Sequence, residues 1–369
     1  MKFTTNTKPL AEALNLGIID SNISNYYKRS SITQVSATND TLKINVESSM
    51  ICTEITLKGV GEGEPATAFV DSSLFKKLIH TLEANVTFEF DANGLKIKSG
   101  NSKFSLGNNY GDTIDVSEFS LNAPMDIPAD AEFVDIDNSD WKFIKDNQMF
   151  AVSKSFTLPM YTKVWIGEHG DVLTGDFDLG LFTYSKKNKL GTTCLLSDTI
   201  INLFNTLPEG ATLAKVGKDY VIKFFKDAYT YVTQFTPQYE SDEGVGDYKS
   251  NMLIEMLQHP EKSVKVFTGL VVKSLNQAIL LSSNNNSYID LSVRDGNMYL
   301  NDANVHSQIV VEGEDTSEYA IKFKLPILKQ IISSFGDRYI EISPIFKGDT
   351  AVGILVWDDD LTIMFAGAK

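Results

Sequence analysis

The sequence has few of the side chains on which most metal sites and redox sites depend. Its 369 residues include two cysteines, Cys52 and Cys194, which share no spacing motif. Its four histidines are His80, His169, His259 and His306, and none are spaced i to i+4 as a helical zinc site requires. We therefore expect no metal and no cofactor. The pattern favours two free thiols in a reducing cytoplasm over a disulfide.

Catalytic and membrane signatures are missing as well. There is no phosphate-cradling glycine loop, no dinucleotide fingerprint, no nucleophile elbow and no kinase motif. No apolar run approaches the roughly 20 residues of a membrane helix. The opening MKFTTNTKPL lacks the apolar segment of a secretory signal. These absences favour a non-enzymatic cytoplasmic protein without membrane contact, although a hydrolase with dispersed carboxylates remains an alternative.

Positive charge is also in short supply, because the chain carries a formal net charge of −15 at pH 7. Such an acidic balance argues against a protein that coats nucleic acid with its whole surface, but it allows a local basic strip. Hydrophobic residues make up 43% of the chain, which is enough for a sizeable core. The length suggests two or three domains.

A helix followed by three short strands is predicted three times along the chain. The copies begin at Val70, Ser197 and Leu325, roughly 125 residues apart, which is the size of a domain. The first and third helices repeat one apolar spacing: Leu74, Phe75, Leu78, Ile79 and Leu82 correspond to Ile327, Leu328, Ile331, Ile332 and Phe335. Lys329 takes the place of Lys76. The chain therefore contains a repeated domain.

Each copy is preceded by a second helix with its own strands. These helices are predicted over residues 7–19, 138–154 and 268–284. Turn-rich stretches near 122–129 and 238–249 are the predicted domain boundaries. The predicted domains are therefore 1–125, 126–245 and 246–369. We predict an α+β fold of three similar domains, each with two helices packed on antiparallel sheet. Asp71 or Ser72 should cap the helix after Val70, and Asp358, Asp359 and Asp360 should form a turn.

Several short segments resemble those of the bacterial DNA polymerase III β subunit, the DNA sliding clamp. They are MKFT at the start, GLKIKSGNSKFSL at 94–106, LPEGA at 207–211, GDYK at 246–249 and NQAILLSSN at 276–284. Other segments depart from the family: GDFDLGLFT at 175–183 replaces a TDGHRLA-like stretch, and LTIMFAGAK replaces an MPMRL-like tail. The departures suggest a divergent or phage-encoded member.

The resemblance implies a replication processivity factor. Two copies would close head to tail into a homodimeric ring around double-stranded DNA, without sequence specificity. The ring would tether a replicative DNA polymerase, and a clamp loader would place it on DNA in the cytoplasm of a bacterial or phage-infected cell. A β-rich repetitive structural or virion protein without a DNA-encircling role would share the strands and the acidity, and it is the alternative.

Three sets of site residues follow from the resemblance and from the helix candidates. The DNA-binding set is Lys28, Arg29, Lys76, Lys77, His80, Lys142, Lys145, Lys154, Lys273, Lys329 and Arg338. The partner-peptide pocket is Thr162, Leu181, Gly246, Asn251, Ile327, Met364 and Phe365. The dimer interface is Phe104, Leu106, Ile279 and Leu280. Ordinary surface exposure is the alternative for the lysines, and core packing is the alternative for the apolar residues.

Overall fold

The structure, a computed structural model, describes residues 1–18, 32–47, 50–91, 94–107, 121–155, 157–239, 250–282, 287–302, 304–313 and 318–368. In this part of the chain there are seven α-helices and 25 β-strands, and every strand pairing is antiparallel. The helices are α1 (Thr7–Gly17), α2 (Ser72–His80), α3 (Asn138–Asn147), α4 (Asp198–Thr206), α5 (Ser250–Met256), α6 (Thr268–Leu281) and α7 (Leu325–Ser333). None of these helices has the length and apolarity needed to cross a membrane. The predicted α+β class is confirmed.

The strands fall into three copies of one pattern. The first copy has β1 (Lys2–Asn6), β2 (Ile32–Ala37), β3 (Thr41–Glu47), β4 (Ile51–Lys58), β5 (Val60–Glu62), β6 (Ala66–Asp71), β7 (Asn85–Asp91), β8 (Gly94–Ser99) and β9 (Ser102–Gly107). The second has β10 (Val134–Asp135), β11 (Val164–Ile166), β12 (Val172–Asp176), β13 (Leu181–Ser185), β14 (Cys194–Leu196), β15 (Thr212–Val216), β16 (Asp219–Lys226) and β17 (Tyr229–Phe235). The third has β18 (Val264–Phe267), β19 (Tyr288–Arg294), β20 (Asn297–Asn301), β21 (His306–Val310), β22 (Tyr319–Lys324), β23 (Tyr339–Lys347), β24 (Thr350–Trp357) and β25 (Leu361–Ala366).

The order of strands within the sheets repeats with the sequence. One half-sheet has the order β6-β2-β3-β4, and β14-β11-β12-β13 and β22-β19-β20-β21 are its counterparts. The other half-sheet has the order β1-β7-β8-β9, with β10-β15-β16-β17 and β18-β23-β24-β25 as counterparts. The short strand β5 adds to β1 in the first copy. The predicted triplication is therefore a property of the topology, while the residue boundaries proposed for the domains stay a prediction.

Half-sheets of successive copies join through their last strands. Strand β17 pairs with β4, and β25 pairs with β13, so that two eight-stranded sheets form. Because each joined sheet draws on two copies, the chain divides into two compact units that cut through the second copy. Unit 1 is Met1–Asn138 with Thr199–Pro237, and unit 2 is Ser139–Asp198 with Gln238–Lys369.

In unit 1 the helix that follows Val70 forms as its sequence predicts. Asp71 caps α2, and its carboxylate accepts a hydrogen bond from the Leu74 amide at 2.7 Å. Phe75 and Ile79 are fully buried, and the Phe75 ring lies 6.2 Å from that of Phe88 on β7. Leu74, however, is more than half exposed, because only part of the predicted apolar stripe faces the sheet.

In unit 2 the eight-stranded sheet has an apolar layer on each face, because neighbouring residues of a strand point to opposite faces. Ile363 and Phe365 belong to the core beneath α6 and α7. Met364 belongs to a second cluster, which also contains Leu253 and Leu257 from α5 and the residue after it. Helix α5 was not predicted, because its seven residues are too few to show a clear apolar period.

Helix α3 ends at Asn147, earlier than the predicted range of 138–154, and the next residue has a buried polar role. The Gln148 side chain is fully buried. It donates a hydrogen bond to the Thr183 hydroxyl at 3.0 Å and accepts one from the Ser185 hydroxyl at 2.8 Å. A buried amide needs such partners, and Gln148 finds them directly after the end of the helix at Asn147.

Removing the cap of α2 should lower the stability of unit 1. Asp71→Ala leaves the Leu74 amide without its acceptor, and we expect a loss of about 1 kcal/mol in the free energy of unfolding. Asp71→Asn is the matched control, because asparagine caps helices as well as aspartate does. Chemical denaturation measures both variants. Equal stability of Asp71→Ala and the unchanged protein would contradict the capping role.

Candidate functional site

The helices carry positive charge in a chain that is acidic overall. Within α1–α4, α6 and α7 the lysines are Lys8, Lys76, Lys77, Lys142, Lys145, Lys273 and Lys329. The carboxylates of the same helices are Glu12, Asp140, Asp146 and Asp198. Lysines therefore outnumber carboxylates there, although the formal charge of the whole chain is −15. Such an excess of positive charge on helices could contact a polyanion.

The two adjacent lysines of α2 have different surroundings. Lys77 is exposed, whereas Lys76 is half-buried and its ammonium group donates a hydrogen bond to the Ile18 carbonyl at 2.7 Å. His80 lies at the end of the same helix, where its Nε2 is 2.9 Å from the Asn15 side-chain oxygen. Lys76 thus makes a structural contact that could not be predicted from its spacing in the sequence.

The lysines near α3 differ in the same way. Lys142 forms an ion pair with Asp146 one helical turn away, at 2.6 Å, and both side chains are solvent-exposed. Such exposed pairs contribute little to stability and leave the lysine available for other contacts. Lys145 is exposed on the helix, and Lys154 is exposed in the segment that follows it. The third copy adds an exposed Lys273 on α6 and a half-buried Lys329 on α7.

Arg338 faces carboxylates. Its guanidinium lies 2.8 Å from the Asp358 carboxylate and 3.7 Å from that of Asp360. The other oxygen of Asp358 accepts hydrogen bonds from the Asp360 and Leu361 amides, both at 2.9 Å, which confirms the predicted turn. Arg338 thus stabilises this turn through ion pairs, and the two carboxylates neutralise its charge. The predicted Lys28 and Arg29 lie outside the described residues.

The residues predicted for the dimer interface lie on strand β9 of unit 1 and on helix α6 of unit 2. Phe104 is half-buried and Leu106 is buried on β9, the edge strand of the five-stranded sheet in unit 1. In unit 2, β21 is the edge strand of the four-stranded sheet, and the end of α6 packs over it. Ile279 is half-buried there, while Leu280 is 83% exposed and Val310 on β21 is 76% exposed. Large apolar side chains thus lie on α6 and on β21, and no described strand pairs with the outer edge of β21.

The residues predicted for the partner pocket lie on both faces of the eight-stranded sheet of unit 2. Leu181 and Phe365 are paired across β13 and β25 and face the α6–α7 core, against which Ile327 also packs. Met364 faces the opposite way. On that side lie Thr162, which ends a short 3₁₀ turn (Pro159–Thr162), and the exposed Asn251 of α5. Gly246 lies outside the described residues.

A cavity of about 330 Å³ lies in unit 2 beside the last strand. It is lined by the turn between β12 and β13, by β25 with the residues after it, and by the facing ends of β19 and β22; these residues are Phe177, Asp178, Leu179, Gly180, Tyr288, Lys324, Phe365, Ala366, Gly367 and Ala368. Its volume is in the range of about 300–1,000 Å³ that is common for ligand pockets. Of the predicted pocket residues, Phe365 lines this cavity.

Two ionisable side chains near the 3₁₀ turn are affected by burial. Burial lowers the pKa of the Lys163 ammonium, whose side chain contacts the Gln238 amide oxygen. Burial, together with a 2.7 Å hydrogen bond to Asp171, raises the pKa of the Tyr184 phenol. Among the described residues, no cluster of three or more histidine, cysteine, aspartate or glutamate side chains could hold a metal ion.

Comparison with solved structures identifies the fold. The beta sliding clamp of Caulobacter crescentus matches at 15% sequence identity with a TM-score of 0.76, over 100% of this chain and 99% of that one. The Bacillus subtilis sliding clamp matches at 17% identity and 0.75, over 100% and 99%. The Helicobacter pylori beta clamp, solved with a DNA ligase peptide, matches at 14% and 0.71 over 100% of both chains.

The chain has the fold of the bacterial DNA sliding clamp. The resemblance predicted from sequence is confirmed at the level of the fold, and the low identity fits a divergent sequence. No protein-family model matches the sequence. No curated protein matches it either.

Sequence reasoning missed several residues that line this cavity. Phe177 and Asp178 lie in the segment 175–183, which departs from the family pattern, and that departure was the signal available. Tyr288 and Lys324 gave no signal, because only the sheet pairing brings the start of β19 beside the end of β22. Lys8, exposed at the first turn of α1, was missed as well.

The different surroundings of Lys76 and Lys77 predict different effects on stability. Lys76→Met removes the donor to the Ile18 carbonyl, and we expect a loss of about 1 kcal/mol in the free energy of unfolding. Lys77→Met, on an exposed neighbour, should change it by less than about 0.5 kcal/mol. Chemical denaturation of the two variants side by side measures the difference. Equal stabilities would mean that the Lys76 contact contributes nothing.

Proposed function

We propose that the protein is a DNA sliding clamp, a non-enzymatic ring that encircles duplex DNA and holds a replicative polymerase on its template. The observation that carries the proposal is the rule by which the copies join. The last strand of the second half-sheet pairs with the last strand of the first half-sheet in the preceding copy, as β17 does with β4 and β25 with β13.

When this joining rule is applied to all three copies, two of the described strands have no partner of this kind. Strand β9 has the role of β17 and β25 in the first copy, and β21 has the role of β4 and β13 in the third. Both are edge strands, and no described strand pairs with their outer edges, so a strand of another copy could pair there. A second copy placed head to tail would pair its β21 with β9 and extend the same antiparallel pattern. Two copies joined in this way at both ends form a closed homodimer.

The helix charges support DNA as the molecule inside the ring. Exposed lysines such as Lys77, Lys145 and Lys273 lie on helices, while the chain as a whole is acidic. Contacts to phosphates position a protein on DNA without reading sequence, and they weaken as salt rises. A closed ring needs only such weak contacts, because it cannot leave an uninterrupted circle, and weak contacts let it slide.

The cavity beside β25 supports the binding of partner proteins. It is open to solvent between a tight turn and the residues after β25, and it presents both apolar and charged side chains. The H. pylori clamp of the same fold was solved with a DNA ligase peptide. For this chain we propose that the cavity beside β25 binds short segments of a replicative polymerase and of a clamp loader. The proposed location is the cytoplasm of a bacterial or phage-infected cell.

Retention on circular DNA tests the proposal directly. The protein is loaded by the cognate clamp loader onto nicked circular DNA and washed at about 0.5 M salt, which removes proteins held by phosphate contacts alone. We expect it to remain on the circle and to be released when the DNA is cut. In the same assay, primer extension by the cognate polymerase should give longer products. Loss from uncut circles, or no gain in product length, would rule out the clamp function.

Leu280→Asp should open the ring at the proposed interface. Leu280 is 83% exposed in a single copy, so the substitution should not unfold the chain. A carboxylate in an apolar contact should weaken the dimer by about 100-fold, or about 3 kcal/mol. Phe225→Asp is the matched control, because Phe225 is also exposed, at 66%, but lies on β16, an interior strand of its sheet. Sedimentation velocity measures the mass. A dimer that survives Leu280→Asp, or dissociates equally with Phe225→Asp, would contradict this interface.

A further inference from the structure

Residues 121–125 cross one face of the eight-stranded sheet in unit 1, and we call this segment the strap. The Leu121 amide donates a hydrogen bond to the Gln34 side-chain oxygen on β2, at 3.1 Å. The Met125 amide donates one to the Gln234 side-chain oxygen on β17, at 2.7 Å. Strand β2 belongs to the first copy of the repeat and β17 to the second, so the strap spans the β4–β17 pairing that joins them.

The strongest attachment of the strap lies between these two contacts. Asn122 donates two hydrogen bonds to the Glu47 carboxylate at the end of β3, one from its backbone amide at 3.0 Å and one from its side-chain amide at 2.7 Å. Hydrogen bonds to an ionised acceptor are roughly twice as strong as neutral ones. These bonds of the strap all end on side-chain oxygens of the sheet. The strap can therefore leave the sheet while the strand pairing stays intact.

The register of the sheet places Cys52 under the strap. Cys52 on β4 is the direct neighbour of Glu47 on one side and of Gln234 on the other. Glu47 and Gln234 are two strand spacings apart, which is about 10 Å. The strap goes from Asn122 to Met125 in three residues, and an extended chain covers about 10 Å in that number of residues. The strap therefore runs nearly straight over β4 and covers the Cys52 side chain, which is half-buried.

The chemistry at this crossing point fits a contact without a hydrogen bond. Pro124 has no backbone N–H to donate, and the sulfur of Cys52 is a weak acceptor. Burial raises the pKa of this free thiol, and the carboxylates of Glu47 and Asp219 raise it further. The thiolate is the reactive form of cysteine. The closed strap thus covers a thiol whose surroundings already disfavour the reactive form.

We propose that the strap opens and closes over the β4–β17 pairing, with Glu47 as its main point of attachment, and that Cys52 is accessible to reagents only in the open state. A group attached to the Cys52 sulfur occupies the space of the closed strap, so it holds the strap open. The coupling is reciprocal, because each event favours the other by the same factor. The strap and Cys52 together form a switch where the first two copies join. The switch involves no DNA and no partner peptide, so it goes beyond the proposed function.

The rate at which N-ethylmaleimide labels Cys52 in the full-length protein measures how often the strap is open. The Cys52 thiolate adds to the carbon–carbon double bond of this uncharged reagent, and the other ring carbon takes up a proton. When the open state is rare, the labelling rate is proportional to its population. Peptide mass spectrometry quantifies the labelling of Cys52 and Cys194 separately. Cys194 is fully buried on β14, so it should stay unlabelled while the chain is folded.

Asn122→Asp places a carboxylate against that of Glu47. Repulsion and the loss of the side-chain hydrogen bond should raise the open population, and we expect Cys52 to be labelled at least about tenfold faster than in the unchanged protein. A direct electrostatic effect has the opposite sign, since an added negative charge raises the pKa of the thiol and slows its labelling. Faster labelling therefore reports the strap and not the added charge.

Two further variants complete the comparison. Asn39→Asp is the matched control, because it adds the same charge in an exposed turn at the other end of β3, and it should not speed labelling. Gln34→Ala removes the acceptor of the Leu121 amide without a change of charge, and we expect labelling to be about threefold faster. Unchanged or slower labelling in Asn122→Asp would overturn the proposal, and so would equal acceleration in Asn39→Asp. If Asn122→Asp also exposes Cys194, the result with Gln34→Ala decides the question.

Hydrogen exchange tests the coupling in the reverse direction. Mass spectrometry of peptides that contain residues 121–125 compares the unlabelled protein with protein labelled at Cys52. Labelling should speed exchange of the strap amides at least about fivefold, because they lose their acceptors when the strap is held open. Peptides from β23 in unit 2 should exchange at the same rate in both samples. Equal exchange of the strap in the two samples would overturn the coupling.

Discussion

Hydrogen bonding between the last strands of successive half-sheets is the constraint on which this structure depends. A strand with an open edge leaves a row of backbone donors and acceptors without partners, and a fold must pair them or protect them. Here β4 and β17 satisfy each other, as do β13 and β25. Each pairing makes one eight-stranded sheet out of two copies of the repeat. The compact units therefore do not coincide with the repeated segments of the sequence.

Because of the same pairing, the strands connect the sheets while the helices can carry exposed charge. Strand pairing fixes the continuity of the sheets, so the exposed faces of the helices are free to carry charge. Lys77 and Lys273 are exposed on such faces. In contrast, Lys76 donates a hydrogen bond to the Ile18 carbonyl, and Arg338 forms an ion pair with the Asp358 carboxylate. Charges that look alike in the sequence thus divide into exposed ones and ones that hold local structure.

The cavity beside β25 in unit 2 depends on the β13–β25 pairing. That pairing brings the turn at 177–180 against the residues after β25, since Ala366 donates its amide hydrogen to Gly180. It also sets the alternation in which Phe182 and Met364 face one side of the sheet while Leu181 and Phe365 face the other. The pairing therefore places the side chains of this turn, among them Phe177, beside the cavity.

The sequence by itself determined the triplicated helix-and-strand pattern and the turn at Asp358, and it narrowed the cap of α2 to Asp71 or Ser72. Each of these features depends on neighbours close along the chain. The sequence also indicated the clamp fold through short segments such as SKFSL on β9. Only the tertiary structure decided that Lys76 contacts Ile18, that Gln148 lies among buried hydroxyls directly after α3, and that Tyr288 and Lys324 share a cavity with Phe177. Those contacts join residues distant in sequence, and local propensity carries no information about which distant partner a side chain meets.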